Sequence, residues 1–199
     1  MIKLPDFFYE AGRPSRVVVA IAGPPGAGKS TISESWCEQL NQMSPGCAAV
    51  VPMDGFHLPN DQLDQMGLRD RKGSPDTFDA QGFVDLVQRI QATDEAVRYP
   101  TFDRGLDASV QNGGVVPKGC QVVLVEGNYL LLEQAPWNQV QYDYSVLLKP
   151  SLQTLQERLV QRWIDHGFSA QQSLEKAQHN DLPNAKTVLI SSRRANLIL

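Results

Sequence analysis

The chain has few cysteines and no long apolar run, and each of these absences excludes a class of protein. It carries 3 cysteines among 199 residues, with no Cys-x-x-Cys pair and no histidine at zinc-ligand spacing. A zinc site or a disulfide framework is therefore not expected, and scattered thiols of this kind are typical of a reduced, cytoplasmic chain. No stretch approaches the roughly 18 apolar residues that a membrane span requires, so no membrane partner is expected.

The chain also lacks an excess of positive charge. The chain has 18 lysines and arginines against 22 aspartates and glutamates, a net charge of −4 at pH 7. Surfaces that bind nucleic acid normally carry a strong basic excess, so nucleic acid is not an expected partner. The first 16 residues include Asp6 and Glu10 and lack a long apolar core, so a secretory leader is not expected. The length and a 42% apolar composition predict one globular domain over residues 1–199.

The most informative segment is a glycine-rich loop between an apolar stretch, 17–22, and a predicted helix. The loop has the pattern G-x-x-x-x-G-K-[ST]. Its glycines let several backbone N–H groups converge on one phosphate, and the positive end of the next helix favours the same anion. In this context the pattern predicts a nucleoside triphosphate site, with Lys29 reaching the β- and γ-phosphates and Ser30 ligating Mg²⁺. The predicted nucleotide-binding residues are Gly23, Pro24, Pro25, Gly26, Ala27, Gly28, Lys29, Ser30 and Thr31.

Short apolar segments alternate with helical ones along the rest of the chain. This alternation predicts an α/β fold, with a parallel sheet covered by helices on both faces. Asp79, Ser151 and Ser169 are predicted helix N-caps. Two long stretches, 56–79 and 99–114, are predicted to be irregular. The predicted strands cover residues 17–22, 48–53, 122–125, 144–148 and 186–190.

Two carboxylates stand at predicted strand ends, where ligands of parallel sheets bind. Asp54 follows the second strand and could accept a proton from a substrate hydroxyl that attacks the γ-phosphorus, unless the Asp-Gly pair only forms a turn. Glu126 follows the third strand in a Walker-B arrangement that would hold Mg²⁺, unless it only caps the next helix. We predict Asp54 and Lys29 as catalytic, and Glu126 as a residue of both the metal site and the substrate site.

Two arginines and two polar clusters complete the candidate residues. Arg158 and Arg162 are four residues apart on a predicted helix, so their guanidinium groups share one face. They could clamp phosphate oxygens as catalytic residues, unless that face is simply solvated. The two irregular stretches lie on the side where an acceptor would bind. The candidate substrate-binding residues there are His57, Arg69, Lys72, Asp103 and Arg104.

Five ordered motifs carry a resemblance that spans roughly residues 17–190. They read AGPPGAGKST, PMDGFH, RKGSPDTFD, YPTFDR and VEGNYLLL. The set resembles the phosphoribulokinase/uridine kinase family of P-loop kinases. The segment 158–184 is similar to a bacterial branch with labels such as pantothenate kinase-like, nucleoside kinase-like or fructose-transport-system kinase. The resemblance implies a three-layer P-loop fold with five parallel strands in the order 2-3-1-4-5, substrate-side loops at about 55–79 and 99–115, and a small helical lid at about 152–182.

The resemblance also implies an activity. ATP would be the phosphoryl donor, with Mg²⁺, and an alcohol group on a small molecule would be the acceptor. Asp54 matches the family's catalytic aspartate, Glu126 its strand-three glutamate, and Arg158 and Arg162 its lid region. His57 stands where uridine kinases carry tyrosine, and their substrate signature is incomplete here, which argues against uridine. The acceptor stays open among pantothenate-like acids, nucleosides and sugars.

Two other function classes stay open. One is a nucleotide-dependent regulator or switch without a small-molecule acceptor, although the guanine-reading N-K-x-D motif is absent. The other is a binding module without catalysis, which would not need the carboxylate of Asp54. The segment 180–184 is a candidate for adenine recognition, and the formation of a homodimer stays open.

Overall fold

The computed structural model describes residues 3–9 and 16–199 and has the predicted α/β fold. Part of the N-terminal stretch considered above, residues 1–2 and 10–15, lies outside the described residues. The strands are β1 (Val17–Ala22), β2 (Ala48–Pro52), β3 (Val97–Asp103), β4 (Ala108–Val116), β5 (Val122–Gly127), β6 (Tyr144–Leu147) and β7 (Leu197–Ile198). The helices are α1 (Lys29–Met43), α2 (Asn60–Met66), α3 (Ala80–Ala92), α4 (Leu152–Asp165), α5 (Ala170–Lys176) and α6 (Leu182–Ser191).

A five-stranded parallel sheet forms the centre, in the order β2-β5-β1-β6-β7. β1 is buried along its whole length, as a strand covered on both faces has to be, and this explains its unbroken run of apolar residues. Its carboxyl end is in register with that of β5, where Ala22 pairs with Gly127. The carboxyl ends of β1, β2 and β5 therefore meet at one edge of the sheet.

Counted along the chain within this sheet, the strands have the expected order 2-3-1-4-5, and two details differ from the expectation. A hairpin outside the sheet, formed by β3 and β4, comes between the second and third strands of the sheet along the chain. The segment 186–190, expected as the fifth strand, is part of α6 instead, and the last strand of the sheet is β7. In α6 the buried positions Asn184, Ala185 and Val188 follow helical spacing, and Pro183 lies in the first turn, where proline is favoured.

The stretch 99–114, expected to be irregular, forms most of this hairpin. β3 and β4 pair antiparallel, with an irregularity between Tyr99 and Thr101. Gly113 and Gly114, expected to mark a turn, lie within β4, next to side chains of β3. A Cβ on Gly114 would lie 2.3 Å from the Tyr99 ring. The glycines therefore make room for neighbouring side chains, and the prediction of a turn there was wrong.

The stretch 56–79 is less irregular than expected, because it contains α2 and short 3-10 turns at 69–71 and 75–77. It ends at Asp79, whose carboxylate accepts a 2.9 Å hydrogen bond from the backbone N–H of Gly82. This confirms the predicted N-cap of α3. α3 then buries one apolar stripe in the core.

Two helical regions flank the carboxyl edge of the sheet. α1 begins at the end of the glycine-rich loop. On the other side α4, α5, a π-helical turn at 177–181 and α6 pack together, and we call this group the helical cap. Ser151 and Ser169 cap α4 and α5, as predicted. Within residues 3–9 and 16–199, no helix has the length and apolar character needed to cross a bilayer.

Candidate active site

The glycine-rich loop connects β1 to α1 and lines a cavity of ≈ 820 Å³. Gly26 and Gly28 have left-handed backbone conformations, with φ of 78° and 92°, which residues with a Cβ adopt only under strain. Gly23 packs so tightly that a Cβ there would lie 2.9 Å from the Cβ of Leu148. The backbone thus curls into a cradle at the start of α1, the arrangement that binds phosphate.

The structure brings most of the predicted nucleotide-binding residues to this cavity. Gly23, Pro24 and Ala27 do not line it. They stabilise the loop instead: the backbone N–H of Ala27 donates a 3.1 Å hydrogen bond to the carbonyl of Pro24, and Gly23 packs on the sheet. The loop residues that line the cavity are Pro25, Gly26, Gly28, Lys29, Ser30 and Thr31.

Lys29 is buried at the start of α1. Its ammonium donates hydrogen bonds to the carbonyl of Pro24, at 3.0 Å, and to Oδ1 of Asn128, at 2.7 Å. Burial lowers the pKa of Lys29, and the carboxylates of Glu126 and Asp54 oppose this shift. Both hydrogen-bond partners are neutral, so phosphate oxygens would satisfy this buried cation better than the groups it now contacts.

The Ser30 hydroxyl donates a 3.1 Å hydrogen bond to Oε1 of Glu126, near the end of β5. Burial raises the pKa of Glu126, and the charge of Lys29 opposes the shift. A hydroxyl beside a carboxylate, next to a phosphate cradle, is a donor set that Mg²⁺ accepts together with phosphate oxygens and water. Across the described part of the chain, no group of three or more histidine, cysteine, aspartate or glutamate side chains could hold a metal ion. The residues present therefore fit a Mg²⁺ ion that arrives with a nucleotide.

Asp54 lies in a 3-10 turn, Met53–Phe56, directly after β2. It lines the same cavity as Lys29 and Glu126, and its charge acts on the pKa of both groups, in addition to their burial. The structure therefore brings together the three groups that the sequence placed at separate strand ends. Because the Asp54 side chain is 40% exposed, it is accessible to a molecule in the cavity.

The turn that carries Asp54 is fitted closely against the hairpin. A Cβ on Gly55 would lie 1.9 Å from the carbonyl oxygen of Pro100, so only glycine lets the turn and β3 approach this closely. Nη2 of Arg104, at the hairpin tip, lies 3.8 Å from Oδ2 of Asp54. The position of this carboxylate therefore depends on the hairpin as well as on the sheet.

The two arginines of α4 have different surroundings. Nη1 of Arg158 donates a 3.2 Å hydrogen bond to the carbonyl of Gly26, so this side chain supports the phosphate loop from the helical cap. Arg162, one turn further along, lines the cavity beside Trp163. Its charge adds to the lowering of the pKa of Lys29 that burial causes. One arginine therefore holds the loop, and the other faces the space above it.

His57 lies on the side of the cavity formed by 56–79 and the hairpin, which we call the acceptor side. Its ring packs against Phe78 and Phe102, at centroid distances of 4.1 and 4.8 Å. Nδ1 lies 2.9 Å from the carbonyl oxygen of Asp54, and because a carbonyl only accepts, Nδ1 carries the proton. Burial lowers the pKa of His57, although the charge of Asp54 opposes the shift. The ring is therefore neutral at pH 7, and Nε2 is a hydrogen-bond acceptor.

Lys72 ties the stretch 56–79 to the hairpin tip. Its ammonium donates hydrogen bonds to Oδ1 of Asn60 and Oδ1 of Asp107, both at 2.7 Å, and to the carbonyl of Asp107 at 3.0 Å. An ammonium has three protons. Lys72 therefore lines the cavity, as expected of a substrate-binding residue, but its three donors have partners within the protein.

Two other predicted substrate-binding residues differ in where they lie. Arg69 lines the cavity, and Nη1 donates a 3.3 Å hydrogen bond to Oδ2 of Asp64, while Nη2 lies 4.0 Å from Oδ2 of Asp107. Asp103 is not among the residues that line the cavity. Its Oδ1 accepts hydrogen bonds from two backbone N–H groups of the hairpin turn, at 2.8 and 3.0 Å. Asp103 thus shapes the turn and does not join the others at the cavity.

The segment 180–184, a candidate for adenine recognition, connects the helical cap to the acceptor side. Nδ2 of Asn180 donates a 2.8 Å hydrogen bond to the carbonyl of Lys72, and Nδ2 of Asn184 donates to Oδ1 of Asn180 at 3.3 Å. These amides also line the cavity. Their hydrogen bonds within the protein hold two walls of the cavity together.

Several cavity-lining residues were not singled out from the sequence, among them Asn128, Asp107 and Trp163. Asn128 could have been indicated by its position two residues after the carboxylate of the metal site. Trp163 reads as part of an apolar helix face. Asp107 has its lysine partner 35 residues earlier, a separation over which no local pattern operates.

Comparisons with known proteins identify relatives across nearly the whole chain. The sequence is 37% identical over 188 residues to the protein YggC of Escherichia coli, covering 92% of this chain and 77% of that protein. It is 32% identical over 183 residues to a protein of Schizosaccharomyces pombe that is provisionally named a uridine kinase, covering 85% and 76%. A crystal structure from Silicibacter sp. TM1040, provisionally named a fructose transport system kinase, is 41% identical with a TM-score of 0.89, covering 96% of this chain and 92% of that one. No protein-family model matches the sequence.

Proposed function

The chain belongs to the phosphoribulokinase/uridine kinase family of P-loop kinases, and from this premise we propose that it transfers the γ-phosphoryl group of ATP to a hydroxyl group of a small metabolite. One observation carries the proposal: the carboxylate of Asp54 lines the same cavity as the phosphate loop and Lys29. A carboxylate there is suited to accept a proton from an attacking hydroxyl, whereas a protein that only bound a nucleotide would not need it.

The nucleotide half of the proposed complex is formed by the loop and its neighbours. The loop N–H groups and the ammonium of Lys29 bind the β- and γ-phosphates, and Lys29 exchanges its contact with Asn128 for phosphate oxygens. Ser30 and Glu126 would hold Mg²⁺, which would supply positive charge to the phosphate oxygens when bound. Arg162 stabilises the negative charge on the transferring group, because its guanidinium faces the cavity beside the loop.

The acceptor half of the proposed complex centres on Asp54. The acceptor hydroxyl gives its proton to this carboxylate while its oxygen bonds to the γ-phosphorus. The bond from that phosphorus to the bridging oxygen breaks, and its electron pair leaves with ADP. Nε2 of His57 accepts a hydrogen bond from a hydroxyl group of the acceptor and so helps to orient it. In transfers of this kind, most of the rate acceleration comes from positioning the reactants and from stabilising the developing charge.

We propose that the whole chain, residues 1–199, acts as one kinase domain. In this assignment 55–79 and 99–115 contact the acceptor, and 152–182 closes over the nucleotide as a lid. Two contacts support it: Arg158 of the helical cap binds the carbonyl of Gly26, and the same cap is hydrogen-bonded to the acceptor side through the segment 177–181.

A screen of ADP release over small hydroxylated metabolites tests the proposed function. We expect release to depend on one class of compound, and kcat to fall by about 10²–10⁴ in Asp54→Asn, the range for loss of a general base, with nucleotide binding retained. Asp61→Asn is the matched control, since Asp61 is an exposed residue of α2 that does not line this cavity. Full transfer by Asp54→Asn would contradict the proposal. ADP release that needs no acceptor would favour a nucleotide-dependent regulator instead.

A further inference from the structure

The charges on the acceptor side point to the chemistry of the acceptor. Resting on the proposed kinase function, we infer that the acceptor is a small anionic alcohol, whose carboxylate or phosphate group binds the guanidinium groups of Arg69 and Arg104. Its hydroxyl group then lies between Asp54 and the γ-phosphate.

Three cations line the acceptor side, but they differ in their free donors. Lys72 donates all three of its protons to Asn60 and Asp107. Lys72 and Asp107 therefore neutralise each other, and neither is available to a ligand. The remaining cations are Arg69 and Arg104.

Both arginines have donors to spare. Arg104 makes no hydrogen bond within the described part of the chain, its ion pair with Asp54 is loose at 3.8 Å, and its side chain is 69% exposed. Arg69 uses Nη1 on Asp64, whose side chain is 60% exposed, and its Nη2 lies 4.0 Å from Oδ2 of Asp107, beyond hydrogen-bond distance. Guanidinium groups with free donors bind carboxylate or phosphate oxygens in a planar, two-pronged geometry. Asp70 also lines this wall, and it has no basic partner among the described residues. One unpaired carboxylate therefore stands against two arginines with free donors.

The aromatic rings of the acceptor side do not form a platform for an uncharged base. Phe78 is 5% exposed, and its ring is packed against His57, Tyr129 and Trp137. Phe102 is contacted by His57 and by the Lys72 ammonium, 5.1 Å from its centroid. Stacking needs an accessible ring face. The described acceptor side therefore favours a ligand held by charge over a nucleoside held by stacking.

The available space sets the size of the acceptor. A cavity of ≈ 820 Å³ is typical for one drug-sized ligand, and this one has to hold both the nucleotide phosphates and the acceptor. The acceptor is therefore small. Arg104 lies close to Asp54, so an anionic group on the arginine and a hydroxyl on the carboxylate are separated by only a few bonds. Hydroxy-carboxylates and sugar phosphates have this arrangement.

Matched pairs of anionic and neutral alcohols test the inference. Glycerate is compared with glycerol, pantothenate with panthenol, and fructose 1-phosphate with fructose, so that the carboxylate and phosphate arms are separate. We expect kcat/KM for the anionic member of the preferred pair to exceed that of its neutral partner by about tenfold or more. Arg69→Gln and Arg104→Gln should each raise KM for that anion by about tenfold or more.

The control variant is Arg98→Gln. Arg98 is an exposed arginine of β3, on the same hairpin as Arg104, and it does not line the cavity. This variant removes the same charge and should leave the KM for the anion unchanged. The affinity of each anion is also measured by calorimetry, with a non-hydrolysable ATP analogue present, for the wild type and all three variants.

The outcomes separate this inference from the proposed function. Transfer to neutral alcohols that equals or exceeds transfer to the anions would overturn the inference and leave the kinase function intact. Anion binding that is lost in Arg69→Gln and Arg104→Gln, without transfer to any compound, would support the anion site and count against the kinase function. An unchanged KM and affinity in both arginine variants, or no anion binding in the wild type, would overturn the inference.

Discussion

The ammonium of Lys72 lies 2.7 Å from the carboxylate of Asp107 and so joins the acceptor-side stretch to the tip of the hairpin. Burial alone would raise the pKa of Asp107, but hydrogen bonds from Lys72 and Asn60 hold it below its ordinary value. The carbonyl of Lys72 also accepts a hydrogen bond from Asn180 of the helical cap. One residue thus connects three walls of the cavity.

Lys72→Met should loosen this junction. The loss removes the donor to Oδ1 of Asp107 and to Oδ1 of Asn60, while Oδ2 of Asp107 keeps its hydrogen bond from Asn60. Because Lys72 is only 16% exposed and bonds to a charged group, the free energy of unfolding should fall by about 1–3 kcal/mol. In a chain of this size that corresponds to a fall in Tm of about 2–4 °C per kcal/mol. The KM for the acceptor should rise as well. Thermal unfolding and steady-state kinetics measure the two effects.

An exposed ion pair beside the base of the hairpin, between Lys118 after β4 and Glu95 before β3, provides the control for Lys72→Met. Lys118 lies 2.8 Å from Glu95, but both side chains are about 70% exposed, at 70% and 68%. Exposed pairs of this kind contribute about 0–1 kcal/mol, so Lys118→Met should leave Tm nearly unchanged. Equal losses of stability in the two variants would mean that Lys72 is an ordinary surface residue.

The two arginines of α4 should have separable effects on kinetics. Arg158→Met removes the hydrogen bond to the carbonyl of Gly26, so the loop becomes less ordered, and the KM for ATP should rise by about tenfold with a smaller change in kcat. Arg162→Met removes a charge that faces the phosphates, so kcat should fall by about 10²–10³ with a smaller change in the KM for ATP. The same split of kcat and KM in both variants would contradict this division of roles.

Stability should depend on pH through His57. Its ordinary pKa is 6.5, and burial lowers it in the folded protein. Between the folded value and 6.5 the unfolded chain binds more protons, so stability rises with pH and is lost as the pH falls below about 6.5. This part of the pH dependence should be absent from His57→Gln. Denaturant unfolding at several pH values between about 5 and 7.5 measures the difference.

An exposed histidine with a similar local contact is the control for His57→Gln. Nδ1 of His166 is hydrogen-bonded to the carbonyl of Arg162, as Nδ1 of His57 is to that of Asp54, but the His166 ring is exposed. His166→Gln should retain the pH dependence of the wild type. If His57→Gln also retained it, the ring would not be buried in its neutral form.

Gly55→Ala should be strongly destabilising. The added Cβ would meet the carbonyl oxygen of Pro100 at 1.9 Å, and backbone atoms cannot move aside as a flexible side chain can. Overpacking of this kind costs about 1–3 kcal/mol or more. Gly105→Ala is the control, because its nearest contact is the Asp103 side chain at 3.3 Å. Equal Tm values for the two variants would show that the turn and the hairpin can separate freely.

The sequence predicted the site best where functional residues lie directly beside a recognisable strand. The phosphate loop, Asp54 and Glu126 each stand next to a buried strand, so their convergence follows from the rule that the ends of parallel strands meet. The strand β7 was missed because it is two residues long, and the apolar run at 186–190 lies on a helix. The hairpin was missed because β4 is largely exposed and contains two adjacent glycines, both atypical of strands.

The acceptor side was harder to predict because its geometry depends on distant pairs. Lys72 was expected to bind a substrate, since nothing near it in the chain indicates that Asp107 would take up its charge. Arg158 was expected to be catalytic, but its position depends on how the helical cap packs on the loop. Residue type and rough location could be read from the sequence; the partner of each side chain could not.

Among the described residues the hairpin forms a sheet of its own, and its base and its tip are both attached to the rest of the molecule. At its base the hydroxyl of Tyr99 donates a 2.9 Å hydrogen bond to the carbonyl of Val50, and at its tip Asp107 holds Lys72. Mutations of hairpin residues between these two attachments change the side chains that line one wall of the cavity. They leave the strands next to the phosphate loop undisturbed. Selectivity can therefore evolve through a few hairpin positions while the phosphate loop keeps its structure.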